Sequence, residues 1–260
     1  MKFGIVTPSY NQGAFIERTI ESVLTQRGDF ELDYLVVDGG STDGTLPILK
    51  RYAGDLRFVS EPDRGQSDAL NKGFRLVRGD VLAWINSDDS YLPGALQAAA
   101  TALSETGARW CFGDCRIIDE RDREIRGFVT RYKARLAHRY SLRRLLSSNF
   151  VAQPATFFER GLLEEAGSID ESLHYAMDYD LWLRFARLAE PTHVPRSLAN
   201  FRVYRNSKTG GGYQEGAREA LAIARRRAQA GEWPAVALHR LHYLGLVAAY
   251  SLLAVASRDR

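Results

Sequence analysis

The sequence predicts an α/β fold: a mostly parallel central sheet flanked by helices, followed by a C-terminal helical extension. Two observations carry this. Over the first hundred residues, short apolar runs of β character alternate with stretches of helical periodicity, the pattern of right-handed βαβ units. Three of the apolar runs end in polar turns, at residues 7–11, 38–43 and 86–89. In an open parallel sheet, ligands bind at the carboxyl ends of the strands, so these turns are expected to open onto one edge.

Residues 3–7 read as a buried strand, followed by a turn over 8–13. Phe15, Ile16, Ile20, Val23 and Leu24 then recur at helical spacing. Residues 32–37 are a second strand, ending in Asp38-Gly39-Gly40-Ser41-Thr42-Asp43-Gly44, with a helix from about 45 to 52. A third strand over 56–60 precedes a helix over about 67–77, and a fourth over 81–85 closes on Asn86-Ser87-Asp88-Asp89. Pro93 opens the next helix in its first turn, with Leu96 and Leu103 among its apolar positions. The second half is less regular. Strands are expected over 110–118 and 155–158, with a charged turn over 120–126 leading into 127–132. An amphipathic helix over about 179–188 carries Leu181, Leu183, Phe185 and Leu188. From about Gln214 the chain is helical to its end, which divides it into a domain over 1–212 and a tail over 213–260.

The net charge is only +3, and no long basic run interleaves with aromatics, so nucleic acid is not an expected partner. Cys111 and Cys115 would share a strand face about 13 Å apart. That exceeds the roughly 7 Å between Cα atoms that a disulfide tolerates, and a lone CxxxC is a poor zinc site. Two reduced thiols suit the cytosol. The run at 3–7 is too short for a signal-peptide core and leads into a turn, so a cytoplasmic location is expected. Residues 241–256 are apolar apart from His242 and Ser251, Tyr243 and Tyr250 included, but fall short of the roughly 20 residues a spanning helix needs. With Arg225-Arg226-Arg227 upstream, they read in two ways. One is a helix lying peripherally on the anionic inner face of a membrane. The other is half of a helical hairpin packed on the domain or on another subunit.

Candidate chemistry gathers in the strand-end turns. Asp88 and Asp89, adjacent after a buried strand, repel each other without a counter-charge. A hard divalent cation, Mn²⁺ or Mg²⁺, would supply it, because such ions take oxygen ligands and bridge phosphate oxygens. The alternative is a solvated turn capping the helix near Pro93. Asp38 is placed to accept from a base N–H, with Gly39 and Gly40 letting backbone approach a flat ring. Equally, the segment is turn chemistry in which Thr42 or Asp43 caps the next helix. Asp63-Arg64-Gly65-Gln66-Ser67-Asp68 mixes loop and cap signals in the same way. Neither a GxxxxGK[ST] nor a GxGxxG phosphate loop is present.

Taken in order, Thr7-Pro8-Ser9-Tyr10-Asn11, the segment Val37-Asp38-Gly39-Gly40-Ser41-Thr42-Asp43-Gly44-Thr45, and Asn86-Ser87-Asp88-Asp89 resemble the signatures of family 2 glycosyltransferases with the GT-A fold. The stretch from Glu61 to Gly73, with Asp68 and Asn71, is similar to the family's loop after the third strand. Gln153-Pro154-Ala155-Thr156-Phe157-Phe158 and Met177-Asp178-Tyr179-Asp180-Leu181-Trp182-Leu183-Arg184 are similar to its acceptor half. The resemblance covers about residues 2–210. It implies a metal-dependent, inverting transfer of sugar from a nucleotide-sugar donor, UDP-linked by preference, to an acceptor hydroxyl of a cell-surface glycan or lipid-linked saccharide. Residues up to about 105 would then bind the donor and residues 106–212 the acceptor.

The resemblance also implies roles. Thr7, Pro8 and Tyr10 would line the nucleotide pocket, and Asp38, with Gly39, would bind the base. Asp68 would lie near the ribose or diphosphate, Asp88 would touch the ribose and Asp89 would hold the metal, the last two being exchangeable. Asn86 stands where a first Asp is commoner, leaving one negative charge fewer for the metal. Asp178 matches the catalytic base, which would take the proton of the attacking hydroxyl; the alternative is an N-cap of the helix carrying Trp182. Asp180 would point elsewhere or serve as a cap. Where relatives often carry a His, this chain has Tyr204, and Arg202, Arg205 and Lys208 would neutralise diphosphate instead. Gly210-Gly211-Gly212 reads as a lid over bound donor or as an ordinary linker. Two other classes stay open. A nucleotidyltransferase would carry a basic glycine-rich loop after the first strand, where this chain has Pro8-Ser9-Tyr10-Asn11-Gln12-Gly13. A non-catalytic nucleotide-sugar-binding protein would not need Asp38, Asp88, Asp89 and Asp178 intact.

Overall fold

The computed structural model describes residues 1–205 and 207–256, with side chains for all of these except 209, 210, 213 and 246–256. Eight strands form one sheet: β1 (Lys2–Ser9), β2 (Glu31–Asp38), β3 (Arg57–Ser60), β4 (Val81–Trp84), β5 (Ser90–Tyr91), β6 (Trp110–Ile118), β7 (Thr156–Glu159) and β8 (Thr192–Arg202). Their order across the sheet is β3-β2-β1-β4-β7-β6-β8-β5. The first four are parallel, with β1 between β2 and β4. The joins β4–β7, β6–β7 and β5–β8 are antiparallel, whereas β6 and β8 run parallel. The sheet is therefore parallel in its first half and mixed in its second.

The helices are α1 (Ile16–Leu24), α2 (Thr45–Arg51), α3 (Gln66–Leu76), α4 (Ala95–Thr106), α5 (Gly127–Ala137), α6 (Leu142–Ser147), α7 (Arg160–Ala166), α8 (Met177–Leu188), α9 (Lys208–Gly211), α10 (Tyr213–Arg227) and α11 (Trp233–Ala256). Strand alternation sorts the sheet's side chains into two cores. Phe3, Ile5, Tyr34, Val36, Val81 and Ala83 face α1 and α4, while Val6, Leu35, Val37, Leu82 and Trp84 face α3 and α8. On the second face Trp182 of α8 stacks between Trp84, at 5.4 Å, and Trp110, at 5.9 Å. Aromatic stacking over so large a buried area locks α8 to the sheet, and with it the position of Asp178.

Strand β8 and helices α5, α6 and α7 have no counterpart in the sequence expectations. The β8 segment carries Pro195, Arg196 and Asn200 and shows no alternation; it is a strand because β6 pairs with it through a register shift at Gly113–Cys115. Helix α5 buries only Ala137, and its Phe128 and Tyr132 stand in solvent, so no apolar stripe announces it. The two cysteines are free thiols, as expected.

The tail is integral to the domain rather than appended to it. Ala220, Ile223 and Ala224 of α10 belong to the α8 core. Arg226 and Arg227, read above as bilayer-facing charges, bind the fully buried Asp180 at 2.8 Å each, and Arg184 binds it at 2.9 Å. A carboxylate removed from water needs such partners, so these two arginines are committed to protein, and Asp180 is an anchor rather than a helix cap. Helix α11 lies on α6, with His239 and His242 bonded through Nδ1 to the carbonyls of Leu146 and Ser147. This packing favours the hairpin alternative up to residue 245; the side chains of 246–256, most of the apolar run, lie outside the described residues. Among the described residues no helix is long and apolar enough to cross a membrane.

Candidate active site

The ends of β1, β2 and β4 do open onto one edge, and a cleft of about 460 Å³ lies there. Pro8, Tyr10, Asn86 and Asp88 line it from the first half; Gln153, Asp178, Tyr204 and Lys208 line it from the second. Asp88 and Asp178, distant in sequence, thus share one cavity.

The floor is a directed chain of hydrogen bonds. Lys208 Nζ donates to Gln66 Oε1 (2.9 Å), and Gln66 Nε2 donates to Asn86 Oδ1 (2.7 Å). Asn86 Nδ2 in turn donates to Asp89 Oδ2 and to Gln153 Oε1, both at 3.1 Å, and Gln153 Nε2 ends the chain on the Trp84 carbonyl (2.7 Å). An aspartate at position 86 has no N–H for this, which gives the departure from the commoner acid a local reason.

Of the two adjacent carboxylates, Asp88 lines the cleft. Asp89 is buried, its Oδ1 accepting the Arg202 N–H (2.8 Å) and its Oδ2 held by Asn86. Burial pushes both acids up, Asp89 further because of the Asp88 charge beside it. Tyr204 also lines the cleft, its hydroxyl accepting from Gln12 Nε2 at 3.4 Å, near enough to Asp88 for each to shift the other's titration.

Arg202 does not serve the cleft as expected. Its buried guanidinium donates from Nε to the Asp88 carbonyl (2.8 Å), from Nη1 to the Asp119 carbonyl (2.7 Å) and from Nη2 to Asp122 Oδ1 (2.5 Å), and it lies 4.9 Å over the Phe15 ring. It braces the 86–89 turn, and its charge only partly offsets the burial that pushes both carboxyls up. That donor set suits a hard cation. Among the described residues no three His, Cys, Asp or Glu side chains gather as a metal cage. The remaining ligands would come from phosphate and water, as is usual for Mg²⁺-type sites on phosphate substrates.

Several other expected contacts fall elsewhere. Thr7 is fully buried, its Oγ1 3.0 Å from the Tyr34 hydroxyl. The Asp38 carboxylate is also buried and holds its own turn, accepting from Gly40 N, Ser41 N, Ser41 Oγ and Ser60 Oγ between 2.5 and 3.2 Å. Gly39 admits Asp63, whose Oδ2 would sit 2.7 Å from a Cβ there. Asp68 accepts from Arg64 N (3.0 Å) and Nη2 (3.1 Å), and these bonds lower its pKa. Arg205 is exposed outside the cleft lining. Turn-forming residues satisfy their polar groups locally, and that is where these carboxylates went. The glycine run is a helical turn, α9, leading into α10; Gly212 has no room for a side chain, since a Cβ would lie 2.3 Å from the Tyr175 ring.

Asp178 occupies the first turn of α8 and is not its N-cap, which is Ala176. Its Oδ1 accepts the Tyr179 N–H (2.7 Å). Burial raises its carboxyl to about 6, against the opposing pull of that N–H and of the Lys133 and Lys208 ammoniums. The turn before it is fixed from α10, where Glu219 accepts the N–H groups of His174 (2.9 Å), Tyr175 (2.6 Å) and Ala176 (2.6 Å). Gln66, Glu219 and Lys133 were not singled out from sequence; only Gln66, in a polar run before a helix, carried a local signal.

The pattern described as Glycosyl transferase family 2 matches residues 4–167. An uncharacterised glycosyltransferase of Mycobacterium tuberculosis is 32% identical over 203 residues, spanning 76% of this chain and 73% of the relative. Another, of Rickettsia typhi, is 26% identical over 208 residues, spanning 77% and 63%. Among solved structures, S. aureus TarS 1–349 in complex with UDP-GlcNAc is similar at a TM-score of 0.69 and 18% identity, over 90% of this chain and 69% of that one. Mannosyltransferase PcManGT from Pyrobaculum calidifontis, in complex with GDP-Man and Mn²⁺, is similar at 0.69 and 19%, over 99% and 79%. At such identities these two speak for the fold alone, that of the GT-A glycosyltransferases. The sequence match and the M. tuberculosis relative go further: the chain belongs to glycosyl transferase family 2.

Proposed function

We propose that this transferase is cation-dependent and inverting, moving a sugar from a nucleoside-diphosphate sugar to an acceptor hydroxyl. The observation that carries the reading is the meeting of Asp88 and Asp178 in one cleft. Asp178, titrating near 6, is a base at neutral pH: it takes the hydroxyl proton as the oxygen attacks the anomeric carbon. Attack opposite the leaving diphosphate inverts that carbon. Asp88 holds Mn²⁺ or Mg²⁺, with Asp89 behind it as the buried brace, reversing the roles the resemblance implied. When bound, the cation offsets the charge that grows on the diphosphate. Lys208, held by Gln66, lines the same cleft and takes part of that charge, while Pro8 and Tyr10 flank the nucleotide.

The donor we propose is a UDP-sugar, and the acceptor a cell-surface glycan or lipid-linked saccharide. TarS, whose structure is of a UDP-GlcNAc complex, supports the first, whereas the GDP-Man complex of PcManGT makes GDP the nucleotide to test beside it. The test is a panel of nucleotide sugars incubated with protein, acceptor mixture and Mn²⁺. Nucleoside diphosphate released only with acceptor, and abolished by EDTA, is the expected result. Full activity in chelator removes the cation from the reading, and release of pyrophosphate replaces it with nucleotidyl transfer.

A further inference from the structure

A second cavity, of about 520 Å³, adjoins the cleft and shares Gln153, Tyr175, Asp178 and Lys208 with it. Its volume falls within the roughly 300–1,000 Å³ of small-molecule pockets. Val129, Ala134, Phe150, Val151 and Ala220 give it apolar walls. Among these walls stand polar groups that the fold leaves unused. Thr130 Oγ1 and Asn149 Oδ1 are buried without a hydrogen bond. Lys133 of α5 makes no hydrogen bond or ion pair with any described residue, although its surroundings shield it enough to lower its pKa.

The nearby carboxylates have other commitments. Asp114, in the same lining, is bonded to His193 Nε2 at 3.0 Å, and Glu219 is taken by three backbone N–H groups. Among the described carboxylates it is Asp178 that opposes the Lys133 charge, beside the Cys115 thiol, and Asp178 also faces Lys208. A sheltered cation whose facing carboxylate is shared with a second lysine, and unbonded buried oxygens, both cost stability. They make sense where a ligand completes them.

We propose that this cavity is an acceptor subsite for a sugar bearing an acidic group, carboxylate or phosphate, and that Lys133 recognises the anion. The inference rests on the reading of Asp178 as base. Asp178 lies on the wall between the two cavities, so an acceptor in the second presents its hydroxyl to Asp178 and faces donor in the first. The hydroxyl proton passes to Asp178, the C1–oxygen bond forms, and the bond to the diphosphate breaks with its electron pair. Once protonated, Asp178 no longer offsets Lys133, and the acceptor's own anion keeps that ammonium paired.

Full-length protein is titrated with p-nitrophenyl β-glucuronide, glucose 6-phosphate and p-nitrophenyl β-glucoside, with binding followed by ligand-observed NMR. At least one acidic ligand is expected to bind about 10-fold or more tightly than the glucoside, the scale of one charge-assisted contact. Which acid binds distinguishes carboxylate from phosphate. Lys133→Met is expected to erase the preference and Lys133→Arg to keep it, with Mn²⁺–UDP binding unchanged in both as the check on folding. Equal binding of acid and neutral sugars, no sugar binding, or a preference that survives Lys133→Met overturns the proposal. A preference that holds while neither UDP nor GDP binds leaves the subsite standing and defeats the donor reading instead.

Discussion

Replacing Asp178 by Asn separates what its carboxylate costs the fold from what it contributes to turnover. The asparagine oxygen can still accept the Tyr179 N–H, so the first turn of α8 keeps its bond while the charge goes. In the folded chain this carboxyl titrates at about 6 instead of 3.8, because burial disfavours its charged form. A pKa raised by folding means that the fold favours the protonated acid. The stabilisation is complete below 3.8 and is lost as pH climbs through about 6. At about 1.36 kcal/mol per pKa unit, the charge then costs at most about 3 kcal/mol at pH 8, and about 1 kcal/mol at pH 4.5. Asp178→Asn is therefore expected to gain about 2 kcal/mol on wild type between those two pH values. Urea denaturation of both proteins at each pH reads this directly. Turnover is expected to move the other way, falling at least about 100-fold and losing an acidic limb near pH 6. A stability gap that does not change with pH would show that the carboxylate is not desolvated. Retained turnover would place the base elsewhere.

Asp88→Asn is expected to weaken Mn²⁺-dependent nucleotide binding at least about 10-fold, while Asp89→Asn, behind the cleft, acts mainly on stability; calorimetry with and without Mn²⁺ checks the order, and equal loss in both contradicts it. Asn86→Asp removes the donor to Asp89 and Gln153 and adds a buried charge, and should cost about 1–3 kcal/mol in urea. No loss would mean that water, rather than these amides, satisfies position 86. Asp180→Ala leaves Arg184, Arg226 and Arg227 facing one another without their anion and should cost roughly 3–5 kcal/mol. A shift in denaturation midpoint worth less than about 1 kcal/mol would show the cluster to be solvated.

The βαβ half of the fold was legible because its signals are local. Phe3 to Val6, Tyr34 to Val37 and Val81 to Trp84 are continuous apolar runs since both faces of each strand are covered, and the polar turn after each marks the strand's end. Pro8, Tyr10, Asn86, Asp88, Asp178 and Lys208 could be named as site residues from motif order, and all line the cleft. Thr7, Asp38, Asp68 and Arg202 could be named too, but their burial and their bonding to neighbours could not.

The sequence by itself determined the fold class, the family and the edge of the sheet at which a ligand would sit, because apolar periodicity and turn chemistry are properties of short segments. Only the tertiary structure decided which of two adjacent carboxylates faces the cleft. That choice rests on the Arg202 N–H reaching Asp89 from another strand, 113 residues along the chain. Likewise, nothing local in α10 says that Glu219 and Arg227 will hold α8, and thereby Asp178, in place. Where a polar group points is settled by the partner that satisfies it once water is excluded, and here those partners come from distant parts of the sequence.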